Sequence, residues 1–249
     1  DSSALLQLGD GRTLRGRLVV GADGANSWVR SRLGITATFT PYAEHAIVAN
    51  FRVGRAHQDT AFQWFKGDAI VALLPLPQQM MSLVWSASDE QAAELMALSD
   101  DVFCRRIEQA TQCGDLEMVT DRAAFPLRLM TVDRLVCERG VLIGDAAHAI
   151  HPLSGHGINL GFQDARSLAD ILCALPAWED PGAVPVLRRH ARQRAEEPAL
   201  MQALTHGLNQ LFSVRAASVK HVRNVGMQLS DRMPVIKDAL IRYATLGHF

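Results

Sequence analysis

Two short segments of the chain carry the residue types that bind nucleotide cofactors. They are Gly21–Arg30 (GADGANSWVR) and Gly144–Ala165 (GDAAHAIHPLSGHGINLGFQDA). In each, an apolar run that predicts a strand leads into a Gly-rich turn, an Asp and the start of a helical pattern. This order places the turn and the helix N-terminus at the carboxyl edge of a sheet, where open α/β folds bind nucleotides.

The second segment supplies the groups that a flavin site needs. Asp145 offers a carboxylate to hydroxyl groups, and the paired glycines of the loop allow close approach of the backbone. The helix that opens near Asn159 directs free N–H groups and a positive dipole end toward the same place. Gly-Asp alone favours an ordinary strand-to-helix crossover, but the whole set favours a flavin. The predicted ligands are Gly144, Asp145, Pro152, Gly155, Gly157, Ile158 and Asn159.

The first segment is less specific. Asp23-Gly24 ends a predicted strand, and Asn26 or Ser27 can cap a helix that carries Arg30. Because Asp-Gly is common at turns, a capped turn with an ion-paired Arg explains this segment equally well.

In this order, the two segments resemble the two downstream FAD-contacting motifs of the aromatic-ring hydroxylases, which are flavoprotein monooxygenases. Within that family the chain most resembles the ubiquinone-biosynthesis hydroxylases, the UbiH/Coq6 group. The likeness extends to Phe65–Leu76, Val84–Ser86, Phe125–Leu127 and a tail with Leu211–Ser213. It implies that Asp23, Gly24 and Arg30 lie near the FAD pyrophosphate, in an element linked to nicotinamide cofactor binding.

The resemblance also implies an activity. The expected reaction is hydroxylation of the aromatic ring of a polyprenylated phenol or quinol, with bound FAD, O₂ and NAD(P)H as reductant. No residue stands out as a catalytic base. Two alternatives remain open: another flavin enzyme on the same scaffold, such as a halogenase or an isoprenoid reductase, and a non-catalytic lipid-binding or scaffolding component of a biosynthetic complex.

Composition argues against several other classes of protein. The 249 residues are 48% hydrophobic with a net charge of −1, which gives no general reason to expect nucleic-acid binding. The longest apolar runs are too short to span a bilayer. Four widely spaced cysteines fit a reducing cytoplasm, and the spacing of His148, His151 and His156 disfavours a metal site. We therefore expect a cytoplasmic protein without a metal.

The predicted fold is mixed α/β. Residues 1–36 and 136–185 are expected to form part of a Rossmann-like FAD-binding domain, interrupted at 37–135 by an antiparallel-sheet substrate domain. The G-x-G-x-x-G turn with which the family begins does not occur in the chain, so we expect these residues to be the C-terminal portion of a longer polypeptide.

Local signals predict several elements of these domains. Gly9-Asp10-Gly11 predicts the turn of a hairpin, and the apolar runs at 69–76 and 80–87 predict strands. Ser88 and Ser99 are candidate N-caps of two helices.

Two prolines mark expected boundaries. An extended run is expected to end at Pro126, and Pro198 is expected to break the C-terminal helical pattern. At Gly157, a side chain is expected to meet a forbidden backbone angle.

Residues 186–249 are expected to form a C-terminal helical region. From Leu187 to Phe249 there are ten basic and four acidic residues, with Arg215, Lys220 and Arg223 on an amphipathic pattern. This basic character predicts a peripheral contact with the inner membrane or with a partner of the pathway. A solvated basic face on a helix that packs against its own domain is the alternative.

Overall fold

A computed structural model describes residues 3–66, 69–150, 157–196, 198–203 and Gly207. These residues fall into two compact units, which we call unit 1 (residues 3–40 and 129–207) and unit 2 (residues 41–128). The bounds predicted for the inserted domain are 37–135.

The strands of the described residues, numbered along the chain, are β1 (Ala4–Gln7), β2 (Thr13–Gly16), β3 (Val19–Gly21), β4 (Ala37–Val53), β5 (Phe62–Phe65), β6 (Ile70–Leu76), β7 (Met80–Ser88), β8 (Leu116–Met118), β9 (Ala123–Val132), β10 (Val136–Cys137) and β11 (Gly140–Leu142). The helices are α1 (Trp28–Arg32), α2 (Asp89–Ala97), α3 (Asp100–Thr111), α4 (Gly157–Cys173) and α5 (Val184–Gln193), and Gly144–Ala146 forms a 3₁₀ turn.

Unit 1 is built on a short sheet in the order β10-β11-β3, in which β11 and β3 run parallel. The pair joins segments about 120 positions apart, with Val141 opposite Val20. The predicted hairpin β1–β2 is present as a separate antiparallel pair, and Gly11 in its turn has φ +84°. The two motifs therefore follow neighbouring parallel strands and lie at the same sheet edge.

Unit 2 contains an antiparallel sheet in the order β5-β6-β7-β4-β8, to which β9 adds by pairing with β4. One face is covered by α2 and α3, whose Leu95, Phe103 and Ile107 join a cluster of buried strand residues. Ser88 caps α2 by accepting a hydrogen bond from the Gln91 N–H, as the sequence predicted, whereas the Ser99 side chain makes no such bond at α3.

Three element boundaries differ from expectation. The extended run predicted to end at Pro126 instead continues as β9 to Val132, because Pro126 is exposed and the missing N–H of a proline is tolerated on an edge strand. Helix α4 begins at Gly157, two residues before the predicted start. The helical structure is interrupted after α5 at Arg194–Ala195, and not at Pro198 as predicted. Pro198 lies in the next helical segment, where the first turn of a helix accepts proline.

The aromatic residues of unit 2 divide between the two faces of its sheet. Phe51 and Trp85 are buried on the helix-covered face, and a stacked Phe62–Trp64 pair lies on that face near the edge, with ring centroids 5.8 Å apart. Phe65, one position beyond Trp64 in β5, points to the opposite face. Among the described residues, no helix has the length and apolar character needed to cross a membrane.

Candidate flavin site

The first motif forms a tightly bonded turn after β3. The Asp23 carboxylate accepts hydrogen bonds from the Ser27 hydroxyl at 2.5 Å and from the Val29 N–H at 3.0 Å. Ser27 in turn caps α1 by accepting the Arg30 N–H at 2.8 Å, and Gly24 has φ +83°, which favours glycine. Burial raises the pKa of Asp23, but these hydrogen bonds outweigh it and leave the pKa below its usual value. Asp23 therefore holds the turn in shape.

Arg30 lies inside unit 1. Its guanidinium donates to the Ala146 carbonyl at 2.9 Å and to the Ala25 carbonyl at 2.8 Å, and it stands 5.7 Å from the centre of the Phe39 ring. Among the described residues, Arg30 makes these carbonyl contacts in place of the ion pair of the alternative interpretation. Because Ala146 belongs to the second motif, Arg30 ties the two motifs together.

The second motif begins where β11 ends. Gly144 has φ +58° and opens the 3₁₀ turn, which leaves the Asp145 side chain exposed. The backbone of α4 lies close to the backbone of this turn. A Cβ added to Gly161 would stand only 3.3 Å from the Gly144 Cα. The Asp145 carboxylate is exposed at this turn and can be reached by a ligand.

A cavity of about 740 Å³ opens beside this turn in unit 1. Five predicted ligands line it: Gly24, Gly144, Asp145, Gly157 and Ile158. The first two turns of α4 add an apolar wall, since the side chains of Ile158 and Phe162 line the cavity and are 67% and 66% exposed. Gly157 has open space at its Cβ position and no positive φ, so the forbidden angle anticipated there belongs to Gly144 instead.

The other predicted ligands lie elsewhere. Asp23 and Arg30 are bonded within unit 1, and Asn159 is exposed on α4 without lining the cavity. Pro152 and Gly155 fall outside the described residues, as do His151 and His156. Within the described chain, no cluster of three or more His, Cys, Asp or Glu side chains could hold a metal ion.

A buried polar cluster lies directly behind the turn. The Asp164 carboxylate accepts hydrogen bonds from the Gly144 N–H at 2.9 Å, from His148 Nε2 at 2.7 Å and from Arg194 Nε at 2.7 Å. Burial raises the pKa of Asp164, yet the bonds from His148, Arg194 and Gly144 outweigh burial and hold the pKa below its usual value. This carboxylate is therefore ionised at neutral pH.

Sequence reasoning did not identify this cluster, although one signal was present. Leu160, Asp164 and Leu168 are the buried residues of α4, and their spacing of four places them on one helix face. A carboxylate in the centre of an apolar stripe requires partners. Arg194, thirty positions later, could not be found by local spacing.

The residues of the cavity fit a flavin cofactor. Gly24 and Gly144 adopt backbone angles at which a side chain would be strained, and Asp145 presents an exposed carboxylate beside them. The first N–H groups of α4 have no helical acceptor, as at any helix start, and Gly157 leaves space in front of them.

The FAD binding domain family matches residues 3–197 of the chain. The ubiquinone biosynthesis monooxygenase COQ6 of Drosophila melanogaster is 34% identical over 96% of the chain, and the ubiquinone hydroxylase UbiL of Rhodospirillum rubrum is 36% identical over 95%. The chain covers 58% and 56% of the length of these two relatives. These similarities confirm the resemblance to the ubiquinone-biosynthesis hydroxylases.

A solved structure gives the same result for the fold. PqsL of Pseudomonas aeruginosa, a probable FAD-dependent monooxygenase, is 27% identical and superimposes with a TM-score of 0.69 over 85% of the chain and 60% of its own length. The predicted mixed α/β fold with an FAD-binding part is thereby confirmed.

Proposed function

This chain belongs to the FAD binding domain family, and from that premise we propose that the protein is an FAD-dependent monooxygenase. Its substrate is a polyprenylated phenol or quinol intermediate of ubiquinone biosynthesis, whose aromatic ring it hydroxylates with O₂ and NAD(P)H. The observation that carries the proposal is the cavity lined by Gly24, Gly144, Asp145 and Gly157, which brings both motifs to one place.

The chain's own residues bind and orient the cofactor. Asp145 would accept hydrogen bonds from hydroxyl groups of the cofactor, and the turns at Gly144 and Gly24 would let the backbone come close to it. The N-terminal turn of α4 would offer N–H groups to the flavin ring, and Ile158 and Phe162 would exclude water from the cavity. When bound, FAD supplies the activation of O₂ with electrons from NAD(P)H.

The substrate class follows from the relatives, which are named for steps of ubiquinone biosynthesis. A substrate with an isoprenoid tail must be collected from a membrane or from a carrier protein. We therefore also propose that the basic C-terminal region contacts the membrane surface or a partner of the pathway. Arg215, Lys220 and Arg223, on which this contact depends, lie outside the described residues. The test is co-sedimentation of the full-length protein with anionic vesicles at low and high salt. Absence of salt-sensitive binding would contradict the membrane contact.

Asp145→Ala tests the cofactor role. In the full-length gene product, we expect the variant to bind FAD about tenfold to a hundredfold more weakly, because hydrogen bonds to a charged acceptor are lost. The flavin absorbance of the purified protein and its FAD titration measure this, and circular dichroism verifies the fold.

Asp170→Ala is the matched control, since Asp170 is an exposed carboxylate on the same unit whose contact with Arg166 is a surface ion pair. It should retain normal flavin content. Normal FAD affinity in Asp145→Ala would remove Asp145 from the site, and a full-length product without flavin would refute the enzyme and favour a lipid-binding or scaffolding component. Analysis of products from polyprenylphenols then separates a hydroxylase from a halogenase or reductase.

A further inference from the structure

Asp164 places a charged carboxylate inside unit 1, where burial of a charge by itself destabilises the fold. Asp164 is 2% exposed and sits between Leu160 and Leu168 on the buried face of α4. An ionised carboxylate at such a position is costly unless its oxygens are fully hydrogen-bonded. An apolar residue would fill the stripe without that requirement.

Two donors share one oxygen of this carboxylate. Oδ2 accepts from the Gly144 N–H and from His148 Nε2, and Oδ1 accepts from Arg194 Nε. Because an ionised carboxylate can only accept, His148 carries a hydrogen on Nε2. The three donors come from different parts of unit 1: Gly144 begins the 3₁₀ turn, His148 follows that turn, and Arg194 lies at the end of α5.

The partner that distinguishes Asp164 from an ordinary ion pair is Gly144. This glycine has φ +58° and immediately precedes Asp145, which lines the cavity. Helix α4 therefore contacts the turn twice: through the Asp164 carboxylate and through the close approach of Gly161 to the Gly144 Cα. The contact with Gly161 limits how closely the turn can approach α4. The hydrogen bond to Asp164 holds the Gly144 N–H in a fixed direction.

We propose that Asp164 is a positioning residue that fixes the Gly144–Asp145 turn for binding the flavin, with His148 and Arg194 orienting its carboxylate. The inference rests on the proposed function, since it deepens the role of the same cavity. Arg194 also donates to Gln163 Oε1 at 3.1 Å, so its guanidinium grips two consecutive residues of α4. The direction of the Gly144 N–H thus depends on a residue at the end of α5.

Asp164→Asn tests the proposal in the full-length gene product. An Asn side chain has one acceptor oxygen and an NH₂ group, so it cannot accept from Gly144 and His148 on one side and from Arg194 on the other. We expect faster hydrogen exchange in the peptide that contains Gly144, FAD affinity about tenfold to a hundredfold weaker, and a changed visible circular dichroism of the bound flavin at saturating FAD.

The visible circular dichroism separates positioning from stability, because a variant that merely unfolds more easily gives fewer sites with an unchanged spectrum. Asp180→Asn is the matched control. Asp180 is bonded to Arg139 in the same unit, and chiefly this contact lowers its pKa to about 2. We expect this control to keep the FAD affinity and the spectrum of the wild type.

The outcomes distinguish this proposal from the function on which it rests. A wild-type protein that binds no FAD overturns both. A wild type that binds FAD and an Asp164→Asn variant with the same affinity and spectrum overturn the positioning role alone. If Asp164→Asn fails to fold, Arg194→Lys keeps the positive charge without a donor in the Nε position; a folded variant with an unchanged flavin spectrum then overturns the proposal.

Discussion

The two units of the molecule bury different kinds of side chain. Unit 2 packs a continuous apolar cluster, with Phe51, Phe103 and Ile107 fully enclosed between its sheet and two helices. Unit 1 has two smaller apolar clusters, and it also buries the titratable or charged side chains Arg30, His148, Asp164, His190 and Arg194. Buried apolar packing tolerates small shifts, whereas buried charges require partners at hydrogen-bond distance. The geometry of unit 1 is therefore specified more tightly than its small core alone would specify it.

The largest effect should come from the apolar unit. Phe103→Ala removes a ring that packs against Phe51 and beneath the Arg122 guanidinium, and should lower the free energy of unfolding by about 3–5 kcal/mol. Urea unfolding measures this. Val102→Ala, on the exposed side of the same helix, should cost far less. Equal effects of the two substitutions would contradict the assignment of the core.

A somewhat smaller effect is expected from the polar unit. Arg30→Ala leaves the Ala25 and Ala146 carbonyls without their donor, and should cost about 2–4 kcal/mol. Urea unfolding again provides the measurement. Arg32→Ala, on the same short helix but exposed and stacked on Trp28, is the control and should cost less than about 1 kcal/mol. An Arg30 variant as stable as this control would show that the two motifs do not depend on the link.

The smallest effect concerns pH. Burial lowers the pKa of His190 below its ordinary value of 6.5, although the Asp164 charge opposes this shift while Arg194 and His148 add to it. The unfolded chain takes up a proton as the pH falls through 6.5 and the folded chain resists it, so the free energy of unfolding decreases on acidification. Asp164 adds a further decrease below pH 3.8, because its folded pKa is lowered.

His190→Gln should flatten the first of these two decreases while leaving the second. Urea unfolding at pH 7, pH 5 and pH 3 measures both. A variant with the same pH dependence as the wild type between pH 7 and pH 5 would show that His190 does not titrate in the way its burial requires.

The sequence predicted those features that depend on neighbouring residues. The Gly11 hairpin, the Ser88 cap and the turns at Gly24 and Gly144 follow from short-range chemistry, and the apolar runs predicted β6 and β7. Long-range contacts were missed for a physical reason. Nothing near Arg30 or Arg194 in the chain indicates whether a guanidinium points to solvent, to a carbonyl or to a carboxylate thirty or more positions away. Pro126 inside β9 was missed because tolerance of proline depends on the edge position of the strand.

The parallel pairing of β3 with β11 has a consequence for how the chain acquires its structure. Residues 19–21 leave the ribosome long before residues 140–142, and residues 41–128 of unit 2 are synthesised between them. Closing so long a loop carries an entropic cost, which falls when the intervening segment is already compact. Because β4, which enters unit 2, pairs with β9, which leaves it, the inserted unit can complete its sheet first. The order of synthesis therefore favours early folding of unit 2, followed by folding of unit 1.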